Sequence, residues 1–211
     1  MKYCFRNYRI TRTCTKNYSD YHRYKENLRQ DFQHRCAYCN LLDSQVTTPF
    51  EIDHFIPKKE FEDQWPELLT LYSNLVYSCK KCNLAKSNQY AGDLSKREII
   101  NDFFYDPVQT DYGEVFYRDE FGRICSDDKK GRDMINRLEL YRPIHNFAWL
   151  CELAKSALDK LTDKINSLQN DSDQKQCLEE AKKELSEYYI TCYAVFIANY
   201  NNNKFRIYEM E

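Results

Sequence analysis

The sequence has few of the residues that build linkers, fibres or membrane spans. Its 211 residues include only 4 glycines and 5 prolines, too few for a linker-rich or fibrous protein. The longest apolar run, Cys192 to Ala198, is far shorter than the roughly 18 residues that span a membrane. The first residues carry no apolar stretch of the kind that opens a secretory signal. We therefore expect a cytoplasmic protein with no membrane partner.

The sequence also lacks an excess of positive charge. Its formal net charge is −2, so any binding of nucleic acid has to come from a local patch. One candidate is the segment 1–40, where nine lysines and arginines stand against three acidic residues, a balance of +6. This segment is either a solvated basic lead-in or an arm that contacts phosphate.

Cysteine, in contrast, is plentiful. A cytoplasmic protein keeps its thiols reduced, so its 10 cysteines point to metal rather than to disulfides. Four of them form two C-x-x-C pairs, Cys36 with Cys39 and Cys79 with Cys82, separated by 39 residues. Two such pairs are the usual ligand set of one tetrahedral structural Zn²⁺. Binding of that ion would contribute on the order of 10 kcal/mol to folding.

The segment between the two cysteine pairs holds polar residues in an apolar setting. The stretch "QVTTPFEIDH" has the composition of a β-strand. Neighbouring strand residues face opposite ways, so Asp53 and His54 can serve one site only if the strand ends there, and Pro57 favours such an end. After the second pair, Asn83 and Lys86 are three apart on a short predicted helix and share a face.

These residues together resemble the HNH, or ββα-metal, nuclease motif. The resemblance covers Cys36 to about Asn88 and consists of Asp-His on a strand, then Asn74-Leu, then C-x-x-C-Asn with a lysine three residues on. Two features depart from the family pattern. The third signature position is Asn83 rather than histidine, and the loop after the proline reads "KKEFED" where glycines are common.

The resemblance implies a role for each of these residues in phosphodiester hydrolysis. His54 would be the general base that activates water, and Asn74 would fix its imidazole by a hydrogen bond. Asp53 and Asn83 would bind one catalytic Mg²⁺ or Mn²⁺, since both ions prefer oxygen ligands. Lys86 and Lys58 would contact phosphate.

The remaining sequence predicts helices around this core. A helix capped by Ser19 is expected before Cys36, and a β-hairpin turning near Asp119–Gly122 after the core. Apolar residues at heptad spacing then predict two helices that pack as an antiparallel hairpin. The predicted class is α+β, mostly helical, with a small zinc-stapled ββα-metal nuclease core. The expected divisions are a basic, Tyr-rich segment with its lead-in helix (1–35), the nuclease core (36–90), a hairpin and helix that pack on the core (91–143), and the helical hairpin (144–211).

A second resemblance rests on the order of elements after the core. The succession of Asp-Pro, hairpin and "INRLEL" is similar to HNH proteins of bacterial anti-phage systems, such as the nuclease subunit of Septu systems and retron-associated effectors. It implies a defence complex in which the C-terminal helices either dock a partner or simply cover the core. The sequence contains no Walker A motif, so an ATPase activity would belong to another subunit.

Three functions remain open on the sequence alone. The first is an HNH endonuclease that cuts DNA. The second is hydrolysis of RNA or transfer RNA by the same chemistry. The motif contacts a phosphate, and it includes no residue assigned to the 2′-OH that would distinguish RNA from DNA. The third is a zinc-stapled binding or scaffold module whose nuclease site is vestigial.

Overall fold

The structure is a computed structural model that describes residues 1–168 and 173–200. The chain forms two compact units, Met1–Tyr141 and a second that begins at Arg142. Helices predominate and the sheets are small, which confirms the predicted class. The α-helices are α1 Lys25–Asp31, α2 Lys58–Phe61, α3 Lys80–Lys86, α4 Tyr112–Val115, α5 Lys129–Arg137, α6 Pro143–Asn166 and α7 Asp173–Tyr200. The strands are β1 Tyr3–Cys4, β2 Glu51–His54, β3 Leu75–Ser78, β4 Tyr117–Arg118 and β5 Ile124–Cys125.

The centre of the first unit is the antiparallel pair β2–β3 followed by α3. Asp53 lies opposite Val76 and His54 opposite Leu75. All four residues of β3 are buried, as expected for a short apolar strand that is covered on both sides. Helix α3 begins directly after Cys79. This ββα succession agrees with the core expected from the sequence.

The predicted helix before the first cysteine pair is present, but its cap differs from the expectation. A 3-10 helix at Tyr21–Tyr24 leads into α1, and the carboxylate of Asp20, not the hydroxyl of Ser19, accepts a hydrogen bond from the backbone N–H of His22 at 3.0 Å. Aspartate and serine are about equally good caps, so sequence alone does not choose between neighbours.

The predicted hairpin is formed by β4 and β5. The N–H of Asp119 donates to the carbonyl of Arg123 at 3.1 Å across the turn. Gly122 has φ 77°, a left-handed conformation that glycine adopts at little cost. Strand β1, which the sequence analysis did not predict, pairs with β4 and makes a three-stranded sheet.

The second unit is the predicted helical hairpin of α6 and α7. Ala154 and Ile165 of the predicted heptad seam are buried, and α7 contributes Cys192 and Phe196. The polar sequence "NDSD" at 170–173, which separates the two apolar patterns and predicts the turn between the helices, lies mostly outside the described residues. Within the described ranges, no helix combines the length and hydropathy needed to cross a membrane.

Candidate functional site

The two cysteine pairs meet in one buried cluster. The sulfur atoms of Cys36, Cys39, Cys79 and Cys82 all lie within 4.8 Å of one another. Four converging thiols match the ligand set of a tetrahedral structural zinc ion, so the site fits Zn²⁺ in its chemistry and spacing. Against the effect of burial, hydrogen bonds from the other three thiols lower the pKa of Cys36 well below its ordinary value. Burial, together with hydrogen bonds in the cluster, raises the pKa of Cys39, and hydrogen bonds to the other thiols, together with burial, raise the pKa of Cys82. Without an ion, the cluster therefore favours one thiolate at Cys36. A thiolate is the form that binds metal.

The first cysteine pair touches the strand that carries Asp53. Tyr38 lies between Cys36 and Cys39, and its hydroxyl donates to Asp53 Oδ2 at 2.6 Å. Both side chains are buried. A hydroxyl–carboxylate hydrogen bond in such surroundings is strong. The cysteine cluster and β2 are therefore linked by a side-chain contact as well as by the backbone.

His54 lies at the end of β2 with its ring oriented by one hydrogen bond. Its Nε2 atom is 2.9 Å from the carbonyl oxygen of Leu69. A carbonyl only accepts, so in the neutral imidazole Nε2 carries the proton and Nδ1 keeps a lone pair. Burial lowers the pKa of His54 to about 4, although the bond to Leu69 acts in the opposite direction. The imidazole is therefore neutral at ordinary pH.

Asn74 supports His54 indirectly. Its side-chain oxygen accepts from the N–H of Ile56 at 2.8 Å, and its side-chain nitrogen donates to the carbonyls of Ile56 at 3.3 Å and Leu68 at 3.2 Å. The side chain is fully buried. Instead of bonding the imidazole, the amide fixes the backbone just after His54 and just before Leu69, the residue that orients the ring.

Asp53 is held by a second buried partner, Lys86 of α3. The ammonium nitrogen lies 3.2 Å from Asp53 Oδ1 and 2.7 Å from the carbonyl oxygen of His54. Burial raises the pKa of the Asp53 carboxyl despite the opposing effects of Lys86 and Tyr38. Lys86 is 0% exposed, so in this arrangement it has no surface for the phosphate contact expected from the sequence.

Asn83 lies beside a carboxylate that the sequence analysis did not single out. Its side-chain nitrogen donates to Glu51 Oε2 at 2.6 Å. Glu51 and Asp53 are two residues apart on β2 and share a face. Strand alternation could therefore have predicted that Glu51 lies on the same side of β2 as Asp53. Oxygen donors from Glu51, Asp53 and Asn83 fit a hard divalent cation in their chemistry. In this structure the charge of Asp53 is paired with Lys86.

The segment before the first cysteine pair covers the imidazole of His54, which is only 5% exposed. The ring of Tyr21 meets the imidazole edge-on with 4.8 Å between centroids, and the ring of His22 lies 4.0 Å from that of Tyr21. Lys58 donates to the hydroxyl of Tyr21 at 2.9 Å and keeps part of its surface exposed. The sequence carries no local signal for this contact, because it joins distant parts of the chain.

Several arginines of the basic N-terminal segment form hydrogen bonds with backbone carbonyls of the first unit. Arg6 donates to the carbonyl of Ala37 at 2.7 Å and is buried. Arg12 donates to the carbonyls of Tyr72 at 2.7 Å and Ser73 at 3.0 Å. These hydrogen bonds fix the loop between Cys36 and Cys39 and the segment just before β3. Arg23, in contrast, is exposed and stacks 4.5 Å from the ring of Tyr18.

Comparison with known proteins identifies the central part of this unit. Residues 36–89 match the family model of HNH endonuclease. A Septu protein PtuB of Bacillus thuringiensis is 36% identical over 67 residues, which are 32% of this chain and 23% of that relative. The aligned region thus spans about a quarter of the relative's length. No solved structure matches the chain significantly.

Proposed function

We propose that this protein is an endonuclease that hydrolyses phosphodiester bonds of DNA with His54 as general base. The observation that carries the proposal is the bond from His54 Nε2 to the Leu69 carbonyl, 2.9 Å long, at the end of a strand in the HNH-matching region. It leaves Nδ1 as the proton acceptor. An imidazole that burial keeps neutral can take the proton of a water molecule as that water attacks phosphorus.

The other residues of the site support this step from fixed positions. Asn74 holds the two backbone segments that place the imidazole and its carbonyl partner. Lys58 and Tyr21 form a cationic and aromatic wall next to His54, suited to a phosphate and a flanking base. Asp53 and Asn83 would hold one Mg²⁺ or Mn²⁺. When bound, that ion supplies charge neutralisation at the phosphate and the leaving oxygen.

The similarity to a Septu protein supports a role in an anti-phage defence complex in the cytoplasm. Helix α7 exposes four large apolar side chains that would suit a protein partner, and we propose an ATPase or other defence subunit in that place. These side chains are Tyr188, Ile190, Tyr193 and Ile197.

Incubation of the purified protein with plasmid DNA and, separately, with total transfer RNA tests the nuclease proposal. Each substrate is supplied with Mg²⁺, with Mn²⁺ or with EDTA, and each reaction is repeated with His54→Ala. We expect DNA cleavage with either ion and none with EDTA or with the variant. Cleavage of transfer RNA alone would overturn the DNA assignment, and cleavage by His54→Ala would overturn the role of His54.

A further inference from the structure

Lys86 is an unusual residue for the interior of a protein. Its side chain is 0% exposed, and lysine is almost never fully buried unless it is paired. Its partners are Asp53 Oδ1 at 3.2 Å and the carbonyl oxygen of His54 at 2.7 Å. The ammonium therefore bridges the side chain of one predicted site residue and the backbone of the next.

Lys86 and Tyr38 together occupy both oxygens of the Asp53 carboxylate. Tyr38 donates to Oδ2 at 2.6 Å and Lys86 to Oδ1. A divalent cation on Asp53 needs one of these oxygens, and it would stand next to a positive charge in a buried place where solvent screens weakly. Each carboxylate oxygen keeps a second lone pair, so the competition between the ion and the ammonium comes from the repulsion of two positive charges rather than from a lack of acceptor sites.

Displacement of Lys86 from Asp53 would use the rotational freedom of a long side chain. Its ammonium lies at the end of a flexible four-carbon stem, and its backbone belongs to the last turn of α3. Because the same ammonium also bonds the His54 carbonyl, its departure would remove one support from the end of β2.

We propose that Lys86 competes with the divalent cation for Asp53. Without the ion, Lys86 neutralises the Asp53 carboxylate, and the protein therefore binds the ion weakly. This inference rests on the proposed function, since it concerns the ion expected at Asp53. It makes occupation of the site by the ion depend on displacement of Lys86, and it couples that displacement to the strand end that carries His54.

The direct test is a titration of the zinc-loaded protein with Mn²⁺ in the absence of nucleic acid. Electron paramagnetic resonance measures the concentration of free Mn²⁺ at each step. Lys86→Gln should bind Mn²⁺ more tightly than the wild type, by about tenfold or more, because the substitution removes a positive charge next to the ion. Lys80→Gln, an exposed lysine on the same helix, should keep the wild-type affinity. The double variant Asp53→Asn with Lys86→Gln should lose the gain. An unchanged or weaker affinity in Lys86→Gln would refute the competition.

A second measurement on the wild type covers the case in which Lys86→Gln fails to fold. Acetylation of lysines, read by mass spectrometry, should spare Lys86 without Mn²⁺ and modify it at saturating Mn²⁺. Continued protection at saturating Mn²⁺ would refute the displacement. Neither readout uses cleavage, so competition without nuclease activity would contradict only the proposed function, and His54-dependent cleavage without competition would contradict only this inference.

Discussion

The side-chain amide of Asn74 and the peptide groups of Ile56 are joined by two hydrogen bonds, of 2.8 and 3.3 Å, inside the first unit. A third bond from the same amide reaches the carbonyl of Leu68. The asparagine thus ties the segment that leaves β2 to the segment that supplies the partner of His54. Its contribution to a nuclease site would be made through the backbone rather than by touching the imidazole.

Asn74→Ala should therefore reduce both stability and activity. The substitution leaves an N–H and two carbonyls without their partner in a buried place, which should lower the free energy of unfolding by at least about 2 kcal/mol. Urea unfolding measures the loss, and DNA cleavage at a temperature where the variant is folded measures the effect on activity. Asn88→Ala, at an exposed position just after α3, is the control and should match the wild type. A stable but inactive Asn74→Ala would contradict a purely backbone role.

Cys82→Ser should remove zinc and unfold the first unit. The four buried thiols hold two distant segments together, and loss of one ligand removes much of a metal-binding free energy that is on the order of 10 kcal/mol. Zinc content by atomic absorption and helicity by circular dichroism measure the two effects. Cys14→Ser, at a partly exposed cysteine outside the cluster, should retain both zinc and fold. A folded, zinc-free Cys82→Ser protein would disprove the structural role of the ion.

Tyr21→Ala should weaken DNA binding more than it slows the chemical step. The ring stands beside His54 and Lys58, and stacking of a base on an aromatic side chain is worth about 1–3 kcal/mol. We expect KM for single-stranded DNA, whose bases are free to stack, to rise about tenfold or more, while kcat changes less. Phe121→Ala provides a matched control, because Phe121 is exposed on the hairpin turn of the same unit. Equal KM values for the two variants would exclude Tyr21 from the substrate surface.

The sequence predicted those parts of the site that depend on local spacing. The cysteine cluster follows from two C-x-x-C pairs, because each pair presents two sulfurs from one tight turn and one ion accepts four. Strand composition predicted the first strand and the residues after the second cysteine pair predicted the helix, while the full ββα order was implied by the resemblance to the HNH motif. The hairpin followed from its turn residues and the paired C-terminal helices from apolar periodicity.

What the sequence could not predict depends on side-chain reach and long-range contact. Lys86 was expected to contact phosphate because the resemblance to the HNH motif implies that role, but its length also lets it extend inward to Asp53. The partner of His54 is a backbone carbonyl, which no residue type reveals. Tyr21 reaches the site from a different segment of the chain. Glu51 is the exception, since the alternation of β2 places it beside Asp53.

The most direct test of the account compares single-turnover cleavage of DNA by His54→Asn and His34→Asn. Both variants replace a histidine of the first unit by the same residue, and asparagine tolerates the positive φ of 61° at position 34. Loss of a general base should slow the chemical step of His54→Asn by roughly 10²- to 10⁴-fold, with zinc content unchanged and the protein still folded at the assay temperature. His34→Asn should cleave at the wild-type rate. Equal rates for wild type and His54→Asn would contradict the central claim that His54 activates the attacking water.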